Sequence, residues 1–258
     1  MFKFVDELFS LSGRIALVTG GSSGIGRHMA ATLARAGGNV VLVARRKAQL
    51  MGAVEAINAE NEGRASAVVG NLSERDEIFR IAEEAAVFFG SPDIIINAAG
   101  TNLREPTEDV SWDSWGRTLD LNLSAPFFLT RAMVPSMQEK GFGNIINIAS
   151  LQSFRAFTSG IAYGASKGGI AQLTRAMAET WSKDGIIANA IAPGFFPTEL
   201  TEAVFGDPEL MAHNASMTAI GRNGKMQDLD GATVFLASRA AAYVTGQVIF
   251  VDGGYSAK

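Results

Sequence analysis

Seven short runs of apolar residues, separated by longer amphipathic stretches, set the strongest limit on the fold of this chain. Most of these runs are continuously apolar rather than alternating, which indicates strands buried on both faces, as in a parallel sheet covered by helices. In chain order they are RIALVTG, NVVLVAR, RASAVVG, PDIIINAAG, GNIINIAS, GIIANAIAPG and GQVIFVDGG. The pattern predicts an α/β fold with about seven parallel strands.

Helical patterns fill the spaces between these runs. They cover about residues 24–36, 47–60, 74–88, 111–140, 162–183 and 226–237. Gly37 and Gly38 follow the first helical pattern, as a left-handed helix cap requires. Six strand–helix units predict an open, doubly wound sheet of the Rossmann type with helices on both faces, because a closed barrel needs eight. No linker or repeat divides the chain, so we predict a single domain over residues 1–258.

One long irregular stretch, residues 195–225, follows the sixth apolar run. It is rich in turn residues and reads FFPTELTEAVFGDPELMAHNASMTAIGRNGK. In open α/β sheets, ligands bind outside the carboxyl ends of the strands. We therefore predict that this stretch is a substrate lid.

The composition excludes several classes of function. A net charge of −4 without a long basic run argues against nucleic acid or an anionic membrane as a partner. With no Cys and two distant His, the chain has no support for a disulfide or a metal site. Asp6 and Glu7 interrupt the apolar N-terminus where a signal peptide needs an unbroken apolar core, and no segment is long enough to cross a membrane. These features predict a cytoplasmic protein.

The first apolar run leads into a glycine-rich turn, VTGGSSGIGRHMA, and then into a helix. Its glycines permit positive φ angles and close approach of a ligand, while the free N–H groups of the new helix suit a pyrophosphate. We predict nucleotide binding by Gly20, Ser22, Ser23, Gly24, Ile25 and Gly26.

The end of the second run indicates which nucleotide binds. Enzymes that use NAD usually place an Asp or Glu here to accept a hydrogen bond from the ribose 2′-hydroxyl. This chain has Ala44 followed by Arg45 and Arg46, and a guanidinium makes bidentate bonds to a 2′-phosphate. The pair predicts NADP(H) rather than NAD(H).

With these residues in hand, the sequence resembles the short-chain dehydrogenase/reductase family over essentially its whole length. Ser150 precedes Tyr163 by thirteen residues and Asn122 precedes it by forty-one, as the catalytic set of the family requires. Two positions depart from the family pattern: Ala98 replaces an Asn, and Asn71 replaces a common Asp near the adenine. The matching segments are TGGSSGIG at 19–26, NAAG at 97–100, LNLSAPF around Asn122, INIAS ending at Ser150, YGASK at 163–167, PG at 193–194 and VDGG at 251–254.

The resemblance implies a reaction in which hydride transfer interconverts a ketone and a secondary alcohol. Tyr163 would give a proton to the carbonyl oxygen, and Ser150 would hydrogen-bond that oxygen. Lys167 would hold the nicotinamide ribose, and Asn122 would support a water that relays protons. The resemblance also implies a homotetramer or a dimer. The remaining cofactor contacts that it implies are Asn71, Leu72, Asn97, Ala99, Gly100, Tyr163, Lys167, Pro193, Gly194, Phe196 and Thr198.

Tyr163 and Lys167, four residues apart, lie on one face of the predicted helix. A phenol with a pKa of about 10 is a poor proton donor and acceptor near neutral pH. A nearby ammonium, together with a positive nicotinamide ring, favours the phenolate. We therefore expect these charges to lower the pKa of Tyr163 toward the working pH.

The substrate is less clearly indicated. Candidate pocket residues are Arg104, Gln152, Phe154, Arg155, Phe157 and Phe195. The segments PGFFPTELTEAVFGDPEL and NLREP resemble the gluconate 5-dehydrogenase group, in which Arg104 or Arg155 would pair with the carboxylate of a sugar acid. The phenylalanines instead favour a hydrophobic or cyclic ketone, and the preferred interpretation is a carbonyl reductase of unspecified substrate.

Two other functions rank lower. A 3-oxoacyl-carrier-protein reductase would need a basic docking face for its acidic carrier, and the helix after Tyr163 offers only Lys183 near its end. A non-catalytic NADP-binding regulator would be free to lose the tyrosine, lysine or serine, yet all three are present.

Five further residues are predicted to be structural rather than functional. His28 is expected to be packed or solvated, and His213 to be solvated rather than bound to a polar substrate. Trp112 and Trp115 are expected in the core or at a subunit contact. Asp252, in the VDGG segment, is expected to have a structural role.

Overall fold

The strands of the computed structural model occupy the seven apolar runs. The structure describes residues 3–61, 63–158 and 160–258. Its strands are β1 (Ile15–Thr19), β2 (Asn39–Ala44), β3 (Ala65–Val69), β4 (Ile94–Asn97), β5 (Gly143–Ile148), β6 (Ile186–Pro193) and β7 (Val248–Val251). All pairs are parallel, in the order β3-β2-β1-β4-β5-β6-β7. The predicted α/β fold with a doubly wound parallel sheet is confirmed.

Helices cover both faces of the sheet. Within the described ranges they are α1 (Lys3–Phe9), α2 (Gly24–Arg35), α3 (Lys47–Asn61), α4 (Arg75–Phe89), α5 (Trp112–Leu119), α6 (Ala125–Lys140), α7 (Ile161–Trp181), α8 (Glu202–Phe205), α9 (Pro208–Met217) and α10 (Asp230–Ala237). The predicted left-handed cap follows α2, where Gly37 has a φ of +97° and Gly38 N–H donates to Leu33 C=O. Every predicted helical pattern contains a helix.

Burial on both faces of the sheet explains why the strands are continuously apolar. Leu17 lies in register between Val41 and Ile95, and all three pack into a cluster with α4 and α6. The next residue in each strand faces the opposite cluster, formed with α2, α3 and α10; these residues are Val18, Leu42 and Ile96.

The structure differs from the predicted helices in two places. The pattern predicted at 111–140 is interrupted between α5 and α6 by a π-helical segment, Asp120–Ser124. The 195–225 segment, expected to be irregular, contains α8 and α9. Asp207 caps α9 by accepting hydrogen bonds from the N–H groups of Glu209 and Leu210, and Pro208 occupies the first turn, where its missing N–H costs nothing.

Asn97 has a different role from the predicted contact with the cofactor. It is buried, and its side-chain amide donates to Thr130 Oγ1 at 3.2 Å and to Asn147 Oδ1 at 2.8 Å. Asn147 in turn donates to Thr174 Oγ1 at 2.9 Å. This polar chain ties β4 and β5 to α6 and α7, so Asn97 supports the sheet beneath the cleft instead of lining it.

The predicted structural residues lie as follows. His28 Nε2 is 2.7 Å from Asp230 Oδ1 and joins α2 to α10. Asp252 accepts hydrogen bonds from the N–H groups of Gly254 and Ser256. Trp112 is 90% exposed, so the core alternative is wrong for this residue. Residues 3–61, 63–158 and 160–258 contain no helix long and apolar enough to cross a membrane.

The central strands should be the most sensitive part of the fold. Ile95 is fully buried, and Ile95→Ala should lower the free energy of unfolding by about 2–5 kcal/mol, because lost apolar burial and a residual cavity add together. Val87→Ala, at a position of α4 that is 80% exposed, should change it by less than about 0.5 kcal/mol. Urea unfolding of both variants measures the difference, and equal midpoints would contradict the proposed core.

Candidate active site

A cleft of about 890 Å³ opens at the carboxyl ends of the strands. It lies where the strand order reverses between β1 and β4, the usual ligand position in such sheets. Except for Asn97, the predicted cofactor residues all line it: Gly20, Ser22, Ser23, Gly24, Ile25, Gly26, Arg45, Arg46, Asn71, Leu72, Ala99, Gly100, Tyr163, Lys167, Pro193, Gly194, Phe196 and Thr198. Residues that are far apart in the sequence therefore share one cavity.

The turn between β1 and α2 is packed tightly enough to require glycine at two positions. Gly20 has a φ of +66°, and a Cβ there would lie 3.0 Å from the backbone of Ala98 and Ala99. A Cβ on Gly26 would lie 2.5 Å from Gly20 C=O. The Ser23 side chain does not cap α2, so it leaves the first N–H groups of this helix available to an anion.

Two arginines at the end of β2 are placed differently. Arg45 is exposed and has no hydrogen bond or ion pair within the described part of the chain. Arg46 Nη2 donates to both carboxylate oxygens of Glu199 at 2.9 Å and to Ser23 Oγ at 3.2 Å. The sequence shows no acidic residue beside this strand end; the fold brings one there from the 195–225 segment.

Asn71, predicted to lie near the adenine, takes part in a local turn while lining the cleft. Its Oδ1 accepts a hydrogen bond from Ser73 N–H at 3.3 Å, and its Nδ2 donates to Glu74 at 3.3 Å. Its side chain therefore keeps hydrogen-bonding groups at the position where the family commonly has Asp.

The other end of the cleft contains Ser150, Tyr163 and Lys167. Lys167 Nζ lies 5.5 Å from the centroid of the Tyr163 ring and donates to Ile148 C=O at 2.6 Å. Ser150 follows β5, and its Oγ accepts from Gln152 N–H at 3.1 Å. The end of one strand and one helix face thus bring together a hydroxyl, a phenol and an amine.

Asn122 lies beneath these groups, in the π-helical segment. Its Oδ1 accepts from Thr101 N–H at 2.8 Å, and its Nδ2 donates to Thr101 C=O at 2.9 Å and to Ser166 Oγ at 3.0 Å. A Cβ placed on Gly100 would be 3.2 Å from Asn122 Oδ1 and 3.9 Å from Lys167 Nζ. Asn122 is almost fully buried, and it joins the loop after β4 to α7.

The groups of the chain shift the pKa of Tyr163 upward, whereas the sequence led us to expect a shift downward. Burial is the largest effect and raises the pKa of the phenol above its ordinary value, while a side-chain interaction with Ser150 and the positive charge of Arg104 lower it. The shift in the pKa of Tyr163 is therefore due to burial, Ser150 and Arg104 and not to Lys167. The groups of the chain therefore keep Tyr163 protonated at neutral pH, in the form that donates a proton.

Burial also acts on the amine. It disfavours the charged form and lowers the pKa of Lys167 to about 8. Near neutral pH most of the amine is still protonated, but a modest rise in pH removes its charge.

The structure divides the predicted substrate residues into two groups. Arg104, Gln152, Phe157 and Phe195 line the cleft. Phe154 is 75% exposed and packs edge-on against Phe250, with ring centroids 6.2 Å apart. Arg155 Nη1 donates to Tyr255 C=O at 3.3 Å. Phe154 and Arg155 therefore do not lie in the cleft, because the short helical turn after Ser150 points them elsewhere.

Several cleft residues were not predicted from the sequence. Tyr255 lies between Phe195 and Phe157, with centroid distances of 5.7 and 6.5 Å. His213, assigned a solvated role, and Asn214 line the cleft from α9. Because α9 was not predicted from the sequence, the position of His213 and Asn214 in the cleft could not be inferred.

Comparison with known proteins agrees with this geometry. The family model described as Enoyl-(Acyl carrier protein) reductase matches residues 20–256, which is most of the chain. The chain belongs to the short-chain dehydrogenase/reductase family. The resemblance of its glycine turn, serine, tyrosine and lysine segments is thereby confirmed at the level of the family.

Individual relatives are similar over nearly their whole length. A gluconate 5-dehydrogenase from Gluconobacter oxydans (strain 621H) is 41% identical over 96% of this chain and 96% of the relative. A tropinone reductase homolog from Arabidopsis thaliana is 36% identical over 97% of this chain and 95% of the relative. The solved structure of a gluconate 5-dehydrogenase from Burkholderia cenocepacia J2315, in complex with NADP and tartrate, has a TM-score of 0.93 and 35% identity, covering 98% of this chain and 99% of that chain.

The buried amine of this short-chain dehydrogenase/reductase should make stability depend on pH. Between about 8 in the folded protein and about 10.5 in the unfolded chain, the unfolded chain holds a proton that folded Lys167 has released. Stability should therefore rise with pH across this window, by about 3 kcal/mol at most. Lys167→Met removes the titrating group, so its stability relative to the wild type should be highest near pH 7 and fall toward pH 10.

Urea unfolding at pH 7 and pH 9.5 measures this effect. Lys183→Met removes an exposed amine just after the same helix and should retain the pH dependence of the wild type. An identical pH dependence in the wild type and Lys167→Met would show that the amine does not titrate in this range.

Proposed function

We propose that the chain is an NADP(H)-dependent oxidoreductase that interconverts a ketone and a secondary alcohol on a sugar acid. The observation that carries the substrate class is the position of Arg104. Arg104 lines the cleft, its guanidinium donates to Leu200 C=O in the same lining, and its charge acts on the Tyr163 phenol, so a carboxylate bound by Arg104 would lie within a small molecule's length of the proton donor. The gluconate 5-dehydrogenases among the relatives support the same class.

The cleft fits NADP(H) along its whole length. The uncapped first turn of α2 faces the cleft beside the glycine cradle, and Arg45 offers an unpaired guanidinium for a 2′-phosphate within the described residues. At the other end, Lys167 and Tyr163 would hold the nicotinamide ribose. When bound, NADP(H) supplies or accepts the hydride. Solved relatives with NADP support this assignment.

The residues around Tyr163 would control the proton. Because burial keeps the phenol protonated, Tyr163 donates its proton to the carbonyl oxygen during reduction. Ser150 hydrogen-bonds the same oxygen as charge develops on it. Lys167 keeps a positive charge near the phenol below pH 8, and Asn122 holds the loop after β4 against α7. Reduction is therefore the direction that we propose for the reaction, as in a carbonyl reductase.

Arg104 would pair with the substrate carboxylate. Its backbone has a φ of +53°, unusual for a residue other than glycine, and its Nη2 donates to Leu200 C=O at 2.8 Å. Gln152, His213 and Asn214 also line the cleft. Phe154 and Arg155 do not line the cleft, so Arg104 is the arginine placed to meet a carboxylate.

A hydrophobic or cyclic ketone is the second candidate. The cluster of Phe157, Phe195 and Tyr255 forms an apolar wall of the cleft, and a tropinone reductase homolog is among the relatives. The two candidates differ in whether turnover depends on Arg104.

Other expectations remain part of the proposal. We propose that the 195–225 segment acts as the lid, since Phe195, Leu200 and His213 from this segment line the cleft. A homotetramer or dimer is supported by exposed aromatic residues away from the cleft, such as Phe154 and Tyr243. The single domain over residues 1–258 and the cytoplasmic location stay predictions.

Tyr163→Phe tests the proton donor. The variant should lose about 10²–10⁴-fold in turnover, because the positioned acid is removed. NADPH binding, measured by nicotinamide fluorescence, should weaken by less than about tenfold, because only one of the hydrogen bonds to the nicotinamide ribose is lost. Tyr243→Phe alters a fully exposed tyrosine and should keep wild-type turnover. If Tyr163→Phe retains its activity, the proposed mechanism is wrong.

Arg104 and Arg155 separate the two substrate classes. With 5-keto-gluconate, Arg104→Ala should raise KM by about 10–100-fold, because a charge-assisted hydrogen bond to the carboxylate is lost. Arg155→Ala, outside the cleft, should change KM by less than about threefold. NADPH consumption is measured with 5-keto-gluconate and with an apolar cyclic ketone. Turnover of the cyclic ketone alone, unaffected by Arg104→Ala, would favour the second candidate.

A further inference from the structure

Arg46 and Glu199 form an ion pair in the lining of the cofactor cleft. Arg46 Nη2 lies 2.9 Å from both carboxylate oxygens of Glu199 and 3.2 Å from Ser23 Oγ. A terminal guanidinium nitrogen carries two protons, so these three acceptors already use its hydrogen-bonding capacity. Another anion that approaches the same nitrogen has to displace the carboxylate, and one that binds the remaining N–H groups of Arg46 shares a single positive charge with it.

The pair lies inside the cleft. Ser23, Arg46, Thr198 and Glu199 all line it. Thr198 packs against the glycine turn, since a Cβ on Gly24 would lie 3.4 Å from Thr198 Cγ2. The start of the 195–225 segment therefore rests on the nucleotide-binding turn and places a carboxylate beside the arginines that follow β2.

We propose that Glu199 determines how strongly the cleft distinguishes NADP(H) from NAD(H), by competing with the 2′-phosphate for Arg46. The inference rests on the proposed cofactor. A 2′-phosphate carries negative charge, whereas the 2′-hydroxyl of NAD(H) does not. An ionised carboxylate at this position therefore opposes the binding of one cofactor and leaves the other largely unaffected.

The ionisation state of Glu199 supports the competition. Its hydrogen bond with Arg46 is the main reason that the pKa of this carboxyl is held below its usual value, so the group is negatively charged at neutral pH. Arg45, which has no such partner among the described residues, remains available to the phosphate. Competition at Arg46 therefore weakens the preference for NADP(H) without abolishing it.

The exposure of the pair limits the size of the effect. The side chains of Arg46 and Glu199 are 43% and 56% exposed, and exposed ion pairs couple weakly. Removing the carboxylate should tighten NADPH binding by about three- to fivefold, an effect that shrinks as salt concentration rises. NADH binding should change by less than about 1.5-fold.

Glu199→Gln tests this inference through binding alone, without substrate. Dissociation constants for NADPH and NADH are measured by nicotinamide fluorescence at low and at high salt. Glu202→Gln removes the same charge from α8 in the same segment, where the side chain makes no hydrogen bond or ion pair with Arg46, and should change both constants much less than Glu199→Gln. Arg46→Gln is then made with and without Glu199→Gln. It should weaken NADPH binding less when Glu199 is present, because part of the interaction between Arg46 and the phosphate is then already lost to the carboxylate.

The outcomes separate the inference from the proposed cofactor. The competition is supported if Glu199→Gln binds NADPH more tightly, its NADH binding is unchanged, and Glu202→Gln shows no such effect. Unchanged binding overturns it, and weaker binding of both cofactors also overturns it, because Glu199 would then act as a clamp. Should Arg45→Ala leave the wild-type preference for NADPH unchanged, or should no preference exist, the proposed cofactor site fails and the inference fails with it.

Discussion

Burial of the sheet on both faces is the constraint from which the rest of this structure follows. Leu17 and Val18 are adjacent in β1, yet both are inaccessible to solvent because helices cover each side. A strand of this kind presents no solvent-exposed face on which a reactive side chain could meet a substrate. Since every strand runs in the same direction, the polar loops that follow the strands gather at one edge, and the cleft forms there.

Much of the fold could be predicted from the sequence because its strands and helices follow from local composition. Continuous apolar runs gave the strands, and apolar periodicity gave the helices that cover them. The interruption at Asp120–Ser124 had no local signal, and Asn122 within it bonds to Thr101 and Ser166, which lie far away in the sequence. The helices α8 and α9 were hidden by a stretch rich in turn residues.

In the candidate site, too, features set by local sequence could be predicted and features set by distant contacts could not. Ser150, Tyr163 and Lys167 were predicted by spacing, and the structure brings them to one cleft. Spacing does not show where a side chain points, so Phe154 and Arg155 were assigned to the pocket although they lie outside it. It also does not measure solvation: the neighbouring amine led us to expect a more acidic phenol, but burial has the larger effect on Tyr163. Glu199 reached Arg46 from a distant segment, and no local pattern indicated it.

The attachment of Asn122 to Thr101 has a consequence for how such a protein evolves. Asn122 holds Thr101 through the peptide N–H and C=O, and it holds α7 through Ser166. This attachment is independent of the side chain at position 101 and of those at 102–104. The loop can therefore exchange the side chains that face a substrate while the amine and the phenol stay in place. New specificities can arise without first disturbing the chemistry.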